Sequence, residues 1–143
     1  MKILMVCLGN ICRSPLAEGI MRHRTDGNWI VDSAGTGNWH VGNRPDKRSI
    51  AIAQKYGIDI STQRARQFSS KDFDQFDLIF AMDSSNYTDI LELAKTDEHR
   101  SKVKLMLGEG NVPDPYYGGD DGFEHVFQLL DEAIQDFILQ HRS

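Results

Sequence analysis

Cysteine is scarce in this 143-residue chain, and the only two, Cys7 and Cys12, fall in one short stretch near the start. A disulfide framework draws on thiols spread along a chain, and a structural zinc site draws on paired cysteines and histidines. Here His23, His40, His99, His125 and His141 are scattered, none at ligand spacing beside the cysteines. They are expected at the surface, and no metal is expected. Long apolar runs are missing as well. No 18-residue stretch could span a bilayer, and "ILMVCL" is too short and wrongly flanked for a secretory signal. The chain is therefore expected in the cytoplasm, without membrane insertion, where reducing conditions leave its thiols free. An excess of positive charge is the third absence. Sixteen Lys and Arg stand against 21 Asp and Glu, a net charge of -5, so a nucleic acid is not an expected partner. Repeats, low-complexity tracts and linkers are lacking too, and residues 1–143 read as a single domain.

What is present is an alternation of buried strands and amphipathic helices. "KILMVC" (2–7), "NWIVDSAG" (28–35), "DLIFAMD" (77–83) and "KVKLML" (102–107) are short apolar runs of the kind buried on both faces of a sheet. Between them lie "SPLAEGIMRHR", with Ser14 as cap and Pro15 in the first turn, "RPDKRSIAIAQKYG", and "SSNYTDILELAK". Ser69 and Asp72 suggest a capping box before Phe73 and Phe76, and Asp121 with Glu124 another before a last helix carrying Phe123, Val126, Phe127, Leu130, Ile134, Phe137 and Ile138. The pattern implies an α/β domain with a parallel sheet and helices on both faces. Ligands bind such sheets beyond the carboxyl ends of the strands, which is where the loop from Cys7 to Ser14 leaves the first strand.

That loop, "CLGNICRS", has chemistry of its own. A chain segment feeding a helix start offers several backbone N–H groups to an anion, and the helix dipole adds positive potential. Arg13 supplies a planar fork for two anionic oxygens. The same field favours the thiolate of Cys7, and Ser14 can donate a hydrogen bond to its sulfur. A nucleophile beneath a phosphate-shaped cradle is the result. A nucleotide P-loop would need G-x-x-x-x-G-K-[ST], which this loop lacks. Displacing a phosphate ester also requires an acid. Asp114, between Pro113 and Pro115 in "NVPDPYYGG", is a stiffly held carboxylate, although the same residues suit an ordinary turn. Tyr116, Tyr117 and Trp39 are aromatic side chains available as walls for a flat substrate; Trp39 serves equally well as a loop anchor.

"VCLGNICRSPLAEGIM", "VDSAGT", "ARQ", "DFDQFDLIFAMD" and "VPDPYYGG" together resemble the low-molecular-weight protein tyrosine phosphatases of bacterial type, in order from residue 3 to about residue 140. The resemblance implies a four-stranded parallel sheet flanked by helices, and a cofactor-free, metal-independent enzyme. It implies Cys7 as nucleophile, Arg13 as phosphate binder and Asp114 as general acid and then base. Leu8, Gly9, Asn10, Ile11, Cys12 and Ser14 form the phosphate loop, with Ser14 on the thiolate and Ser33 helping Asn10 to order it. Leu8, Ile11, Trp39, Tyr116 and Tyr117 line the substrate cleft. Eukaryotic members carry a histidine shortly before "ARQ", where this chain has Gln63-Arg64. Related arsenate reductases use further cysteines, which are missing here. Protein arginine phosphatases of the same fold carry threonine at the place of Ile11. The expected substrate is therefore a phosphotyrosine protein, such as a bacterial tyrosine autokinase acting in surface polysaccharide export. A non-catalytic phosphotyrosine-binding module is the alternative from another class. A monomer is expected, with Cys12 able to trap an oxidised Cys7 as a reversible disulfide.

Overall fold

β1 (Lys2–Cys7) is the strand its apolar run implies, buried at every position after Lys2. The computed structural model describes residues 1–116 and 119–141. β1 is followed by α1 (Arg13–Arg24), β2 (Ile30–Gly35), α2 (Lys47–Lys55), α3 (Asp72–Gln75), β3 (Leu78–Ala81), α4 (Ser84–Leu93), α5 (Asp97–Ser101), β4 (Val103–Leu105) and α6 (Asp120–His141). The strands form one all-parallel sheet in the order β2-β1-β3-β4. The single α/β domain has the expected four-stranded sheet.

Side chains alternate across β1 with the period of a strand. Ile3, Met5 and Cys7 enter one core with Leu16, Ala17 and Ile20 of α1 and Val126, Phe127, Leu130 and Ile134 of α6. Leu4 and Val6 enter the other, with Phe68, Phe73, Phe76 and Ile90. Each fully buried side chain of this size stabilises the fold by about 1.5–3 kcal/mol relative to exposure, and both faces of the central strand are covered.

Local chemistry moves several boundaries. Ser14 does not cap α1: the N-cap is Cys12, without a side-chain cap bond, and Ser14 lies inside the helix with its hydroxyl turned to Cys7 and Asn10. Pro45 lies before α2, whose cap is Asp46 accepting from Arg48 N at 2.9 Å. In the expected box at Ser69, Asp72 Oδ2 does accept from Ser69 N at 2.9 Å. Asp72 also takes Arg66 in a forked pair, and α3 starts only at Asp72. The Asp121–Glu124 pair does not form a start signal. Asp121 is already within α6, and Glu124 is occupied by Lys55 Nζ at 2.6 Å and Tyr56 Oη at 2.9 Å. α5 has no buried residue, so its sequence carries no apolar period to detect. His99 is half-buried rather than fully exposed: it stacks on Phe73 with ring centroids 4.6 Å apart and pairs with Asp74 at 3.2 Å.

Candidate active site

The loop from Leu8 to Cys12 is stitched to the neighbouring strand through its carbonyls, which leaves its N–H groups unused. Thr36 N donates to Cys7 O and Gly37 N to Leu8 O, both at 2.9 Å. No hydrogen bond among the described residues uses the backbone N–H of Leu8, Gly9, Asn10, Ile11 or Cys12. A row of unpaired amides at a helix start is an anion site in waiting. Asn10 turns the loop with a φ of 58°, a left-handed conformation that asparagine tolerates better than other non-glycine residues. Gly35, opposite Cys7 in the sheet, allows the loop to approach: a Cβ there would sit 2.8 Å from Leu8 O.

Cys7 and Arg13 are both buried, at 2% and 3% exposure, so their polar groups need partners from the protein. Ser14 Oγ lies 3.0 Å from the Cys7 sulfur. Arg13 Nη1 donates to Asp83 Oδ2 at 2.7 Å and to Val112 O at 3.0 Å. Burial works against the Arg13 charge, but Cys7, Asp83 and Asp114 outweigh it and push its guanidinium above the ordinary value. With Nη1 so held, Nη2 reaches towards Asp114 Oδ2, 3.9 Å away. Asp114 rides on a segment pinned on both sides. Val112 N donates to Met82 O at 2.8 Å, Pro115 is buried, and Tyr116 N donates to Asp114 Oδ1 at 3.0 Å. Its carboxyl remains 42% exposed, accessible to a ligand in the cleft.

The cleft has a volume of about 360 Å³, and Cys7, Cys12, Arg13 and Asp114 reach it together with Leu8, Gly9, Ile11, Trp39, His40 and Tyr116. Leu8, Trp39 and Tyr116 are exposed and form an apolar rim, with Ile11 buried deeper. Arg48 donates to Tyr116 O at 2.8 Å and lies 5.7 Å from its ring. Tyr117 lies outside the described residues. His40, expected at the surface, instead lies in this wall, its ring 6.4 Å from that of Tyr116. Cys12 is buried, and burial together with Asp46, Cys7 and Asp114 pushes its thiol up to about 12, so Cys12 is protonated at neutral pH.

A buried polar chain runs behind the loop. Asn10 Nδ2 donates to Ser14 Oγ at 2.8 Å and to Ser33 Oγ at 3.0 Å, Asn10 Oδ1 accepts from Arg66 N at 3.0 Å, and Ser33 Oγ donates to Glu18 Oε1 at 2.7 Å. Burial pushes the Glu18 carboxyl up to about 7 despite the Ser33 hydrogen bond and Arg22. Gln63, shortly before "ARQ", donates to Pro15 O at 3.1 Å. Asn10 is supported from Arg66 and Ser33. Three residues of this centre escaped sequence reasoning: Asp83, His40 and Glu18. For Asp83 the available signal was an acid at the carboxyl end of the strand beside β1. For Glu18 it was a polar stripe at spacing four, Asn10, Ser14, Glu18 and Arg22, which continues from the loop along one side of α1.

Among the described residues, no group of three or more His, Cys, Asp or Glu side chains is placed to hold a metal ion. A family model described as low molecular weight phosphotyrosine protein phosphatase matches residues 2–142. The chain is 48% identical over 149 residues to a Synechocystis sp. protein bearing the low molecular weight protein-tyrosine-phosphatase name, covering 96% of this chain and 94% of that one. A crystal structure of a protein tyrosine phosphatase from Entamoeba histolytica superposes with a TM-score of 0.91 at 38% identity, over 98% of this chain and 96% of that one. A Drosophila arginine phosphatase also superposes with a TM-score of 0.91, at 35% identity, over 100% of this chain and 99% of that one.

Proposed function

The chain belongs to the low molecular weight phosphotyrosine protein phosphatase family, and we propose that it hydrolyses protein phosphotyrosine through a phosphocysteine at Cys7. The observation that carries this reading is convergence. A sulfur, a guanidinium and a carboxyl, from residues 7, 13 and 114, reach one cleft beside a row of unpaired amides. The amides and Arg13 bind the phosphate oxygens and match the charge that spreads over them in the transition state. The Cys7 thiolate attacks phosphorus, forming the S–P bond as the P–O bond to tyrosine breaks, and Asp114 delivers its proton to the departing phenolate oxygen. Water then attacks the phosphocysteine, its proton passes to the Asp114 carboxylate, and the Cys7 thiolate leaves. Cys7 must start deprotonated and Asp114 protonated, so turnover peaks on the acidic side of neutral.

Hydrolysis of para-nitrophenyl phosphate in EDTA tests the reading directly. The wild type should turn over without metal. Cys7→Ser should be inactive yet bind phosphate, and Asp114→Ala should keep phosphate affinity while losing turnover, most of all on poor leaving groups. An inactive wild type, or an active Cys7→Ser, would overturn it.

The similarity to an arginine phosphatase brings a second reading, phosphoarginine hydrolysis. Ile11 in the cleft and the aromatic rim of Trp39 and Tyr116 favour a flat phenyl ring. Matched phosphotyrosine and phosphoarginine peptides decide between them through kcat/KM. Among the described residues no helix is long and apolar enough to cross a membrane. We place the protein in the cytoplasm as a monomer, acting on phosphoproteins that include a tyrosine autokinase. Capture of phosphorylated partners by Asp114→Ala, lost in excess inorganic phosphate, tests that assignment.

A further inference from the structure

The polar chain behind the loop has a direction, fixed at its middle by Arg66 N and closed at one end by a buried carboxyl. Asn10 Oδ1 accepts from Arg66 N, so the amide nitrogen faces the two serine hydroxyls and donates one hydrogen to each. A hydroxyl has a single hydrogen of its own. Ser33, already accepting from Asn10, sends its hydrogen to Glu18 Oε1 at 2.7 Å. Ser14, also accepting from Asn10, has its hydrogen free for a Cys7 thiolate, whose sulfur lies 3.0 Å away. Glu18 is thus the acceptor that closes one end of the chain, and the Cys7 sulfur closes the other.

We propose that Glu18 is a positioning residue for the nucleophile: by accepting from Ser33 it works with Arg66 N to hold the Asn10 amide with nitrogen towards Ser14, which commits the Ser14 hydroxyl hydrogen to Cys7. The inference rests on the reading of Cys7 as nucleophile and adds the residue that orients its hydrogen bond. Without an acceptor at position 18, the Ser33 hydrogen is left to compete with Arg66 N–H for the Asn10 oxygen. An amide turned to meet it presents Oδ1 to Ser14 as well, drawing the Ser14 hydrogen off the sulfur. Glu18 is 3% exposed, where a carboxyl would be costly to keep for packing alone. The charged groups around it are Arg22 on its own helix, with Nε 3.3 Å from Oε2, and Asp32 and Arg66 on the elements packed against it. Arg22 lies beside the oxygen that Ser33 does not use, as a charge partner only, because its Nε and Nη2 donate to Val31 O. The carbonyl oxygen of a protonated Glu18 still accepts, so the direction of the chain persists on the acidic side of neutral.

The test reads the state of the sulfur itself. Alkylation of Cys7 by iodoacetamide, located by mass spectrometry, is followed against pH in wild type, Glu18→Leu, Glu18→Gln, Ser14→Ala and Glu18→Leu/Ser14→Ala. Glu18→Leu should move the midpoint of the alkylation profile up by about one pH unit, the worth of one hydrogen bond to a charged sulfur. Glu18→Gln, which still has an accepting oxygen, should move it by less. In the Ser14→Ala background the Glu18→Leu shift should vanish, because the hydrogen it redirects is gone. A wild-type profile in Glu18→Leu, or a shift that adds in full to that of Ser14→Ala, would overturn the proposal and leave Glu18 a packing residue. Should Glu18→Leu not fold, Glu18→Met removes the same acceptor at nearly the same volume and should give the same shift with the same non-additivity; a wild-type profile there overturns the proposal equally. Wild-type turnover through Cys7 separates the two readings: its absence strikes at the proposed function, whereas normal turnover with an unmoved Glu18→Leu profile strikes only at this inference.

Discussion

Replacing Glu18 by glutamine should make the protein more stable at alkaline pH and flatten its stability profile. Burial raises this carboxyl from 4.5 to about 7, against the Ser33 hydrogen bond and Arg22. Between those values the unfolded chain gives up the proton while the folded one retains it. The folded state then binds more protons, so stability falls as pH rises. The loss begins near the unfolded value of 4.5 and is complete above about 7. At about 1.4 kcal/mol per unit, a shift of this size amounts to about 3 kcal/mol, a sizeable share of the 5–15 kcal/mol typical of a small domain. Glutamine keeps the volume and an oxygen for Ser33 but has no charge to bury. The assay is urea unfolding of both proteins at pH 5 and pH 8, with the slope m checked for equality. The difference between variant and wild type should grow by about 2.5 kcal/mol in favour of the variant from pH 5 to pH 8, the first part of the loss having occurred below pH 5. The comparison cancels the other titrating groups, including Asp46, which its hydrogen bonds to Arg48 hold low despite burial. Curves that stay parallel across that range would refute the reasoning, because the charge would then cost the fold nothing. The cost also has a meaning for function: a site residue that destabilises the fold is retained for what it orients.

Asp83→Asn should cost activity by dividing one oxygen between two donors. Asp83 Oδ1 caps α4 through Asn86 N at 2.7 Å while Oδ2 holds Arg13, and an asparagine has one carbonyl oxygen for both. The expected loss in kcat/KM is about 10–100-fold, with phosphate inhibition weakened in parallel; wild-type phosphate affinity would contradict it. Gly35→Ala should act on the loop through contact alone, since the new Cβ would meet Leu8 O at 2.8 Å and Asn10 N at 3.1 Å. Weaker phosphate inhibition with a stability loss of about 1–3 kcal/mol is expected, and unchanged phosphate binding would contradict it. Cys12→Ser should lose the recovery that added thiols give after peroxide, because no second thiol can then capture an oxidised Cys7; recovery equal to wild type would remove Cys12 from that role.

How much of this was legible in the sequence follows from the kind of signal each element leaves. β1 and α6 carry long apolar patterns at periods of two and near 3.6, and both stand where those patterns put them. Strand ends were read too long, as at 77–83 against the observed Leu78–Ala81, because apolar runs continue past the last ladder pair. Met82 is buried beyond the end of β3, and its backbone serves Val6 O and Val112 N. Capping residues misled wherever a side chain had a stronger tertiary partner: Ser14 has Cys7 and Asn10, and Glu124 has Lys55 and Tyr56. In the site, "CLGNICRS" announced itself because its residues are contiguous. Asp83 and Glu18 act across sequence separations of 70 and 15 residues, and no local pattern carries that distance. The stripe from Asn10 to Arg22 was there to read, but α1 is buried on nearly every side from Arg13 to Met21, so a search for one apolar face passed over it.

Sheet register is what turns these separate pieces into one site. Cys7 pairs with Gly35, and Val6 with Ala81, so the chain leaves β1, β2 and β3 at nearly the same level. The loop after β1 therefore meets a residue without a side chain on one flank and Asp83 on the other. Val112 N then bonds Met82 O, bringing the Asp114 segment back over the same edge. Ile3, Met5 and Cys7 all face the core shared with α1 and α6, so the sulfur points to the side where α1 begins. A slip of β1 by one residue would send Cys7 to the Phe73 side and leave Val6 beneath the loop, since alternate residues face opposite ways. The apolar alternation of β1, buried on both sides by different partners, resists that slip. The residues that make the core also fix where the thiol points.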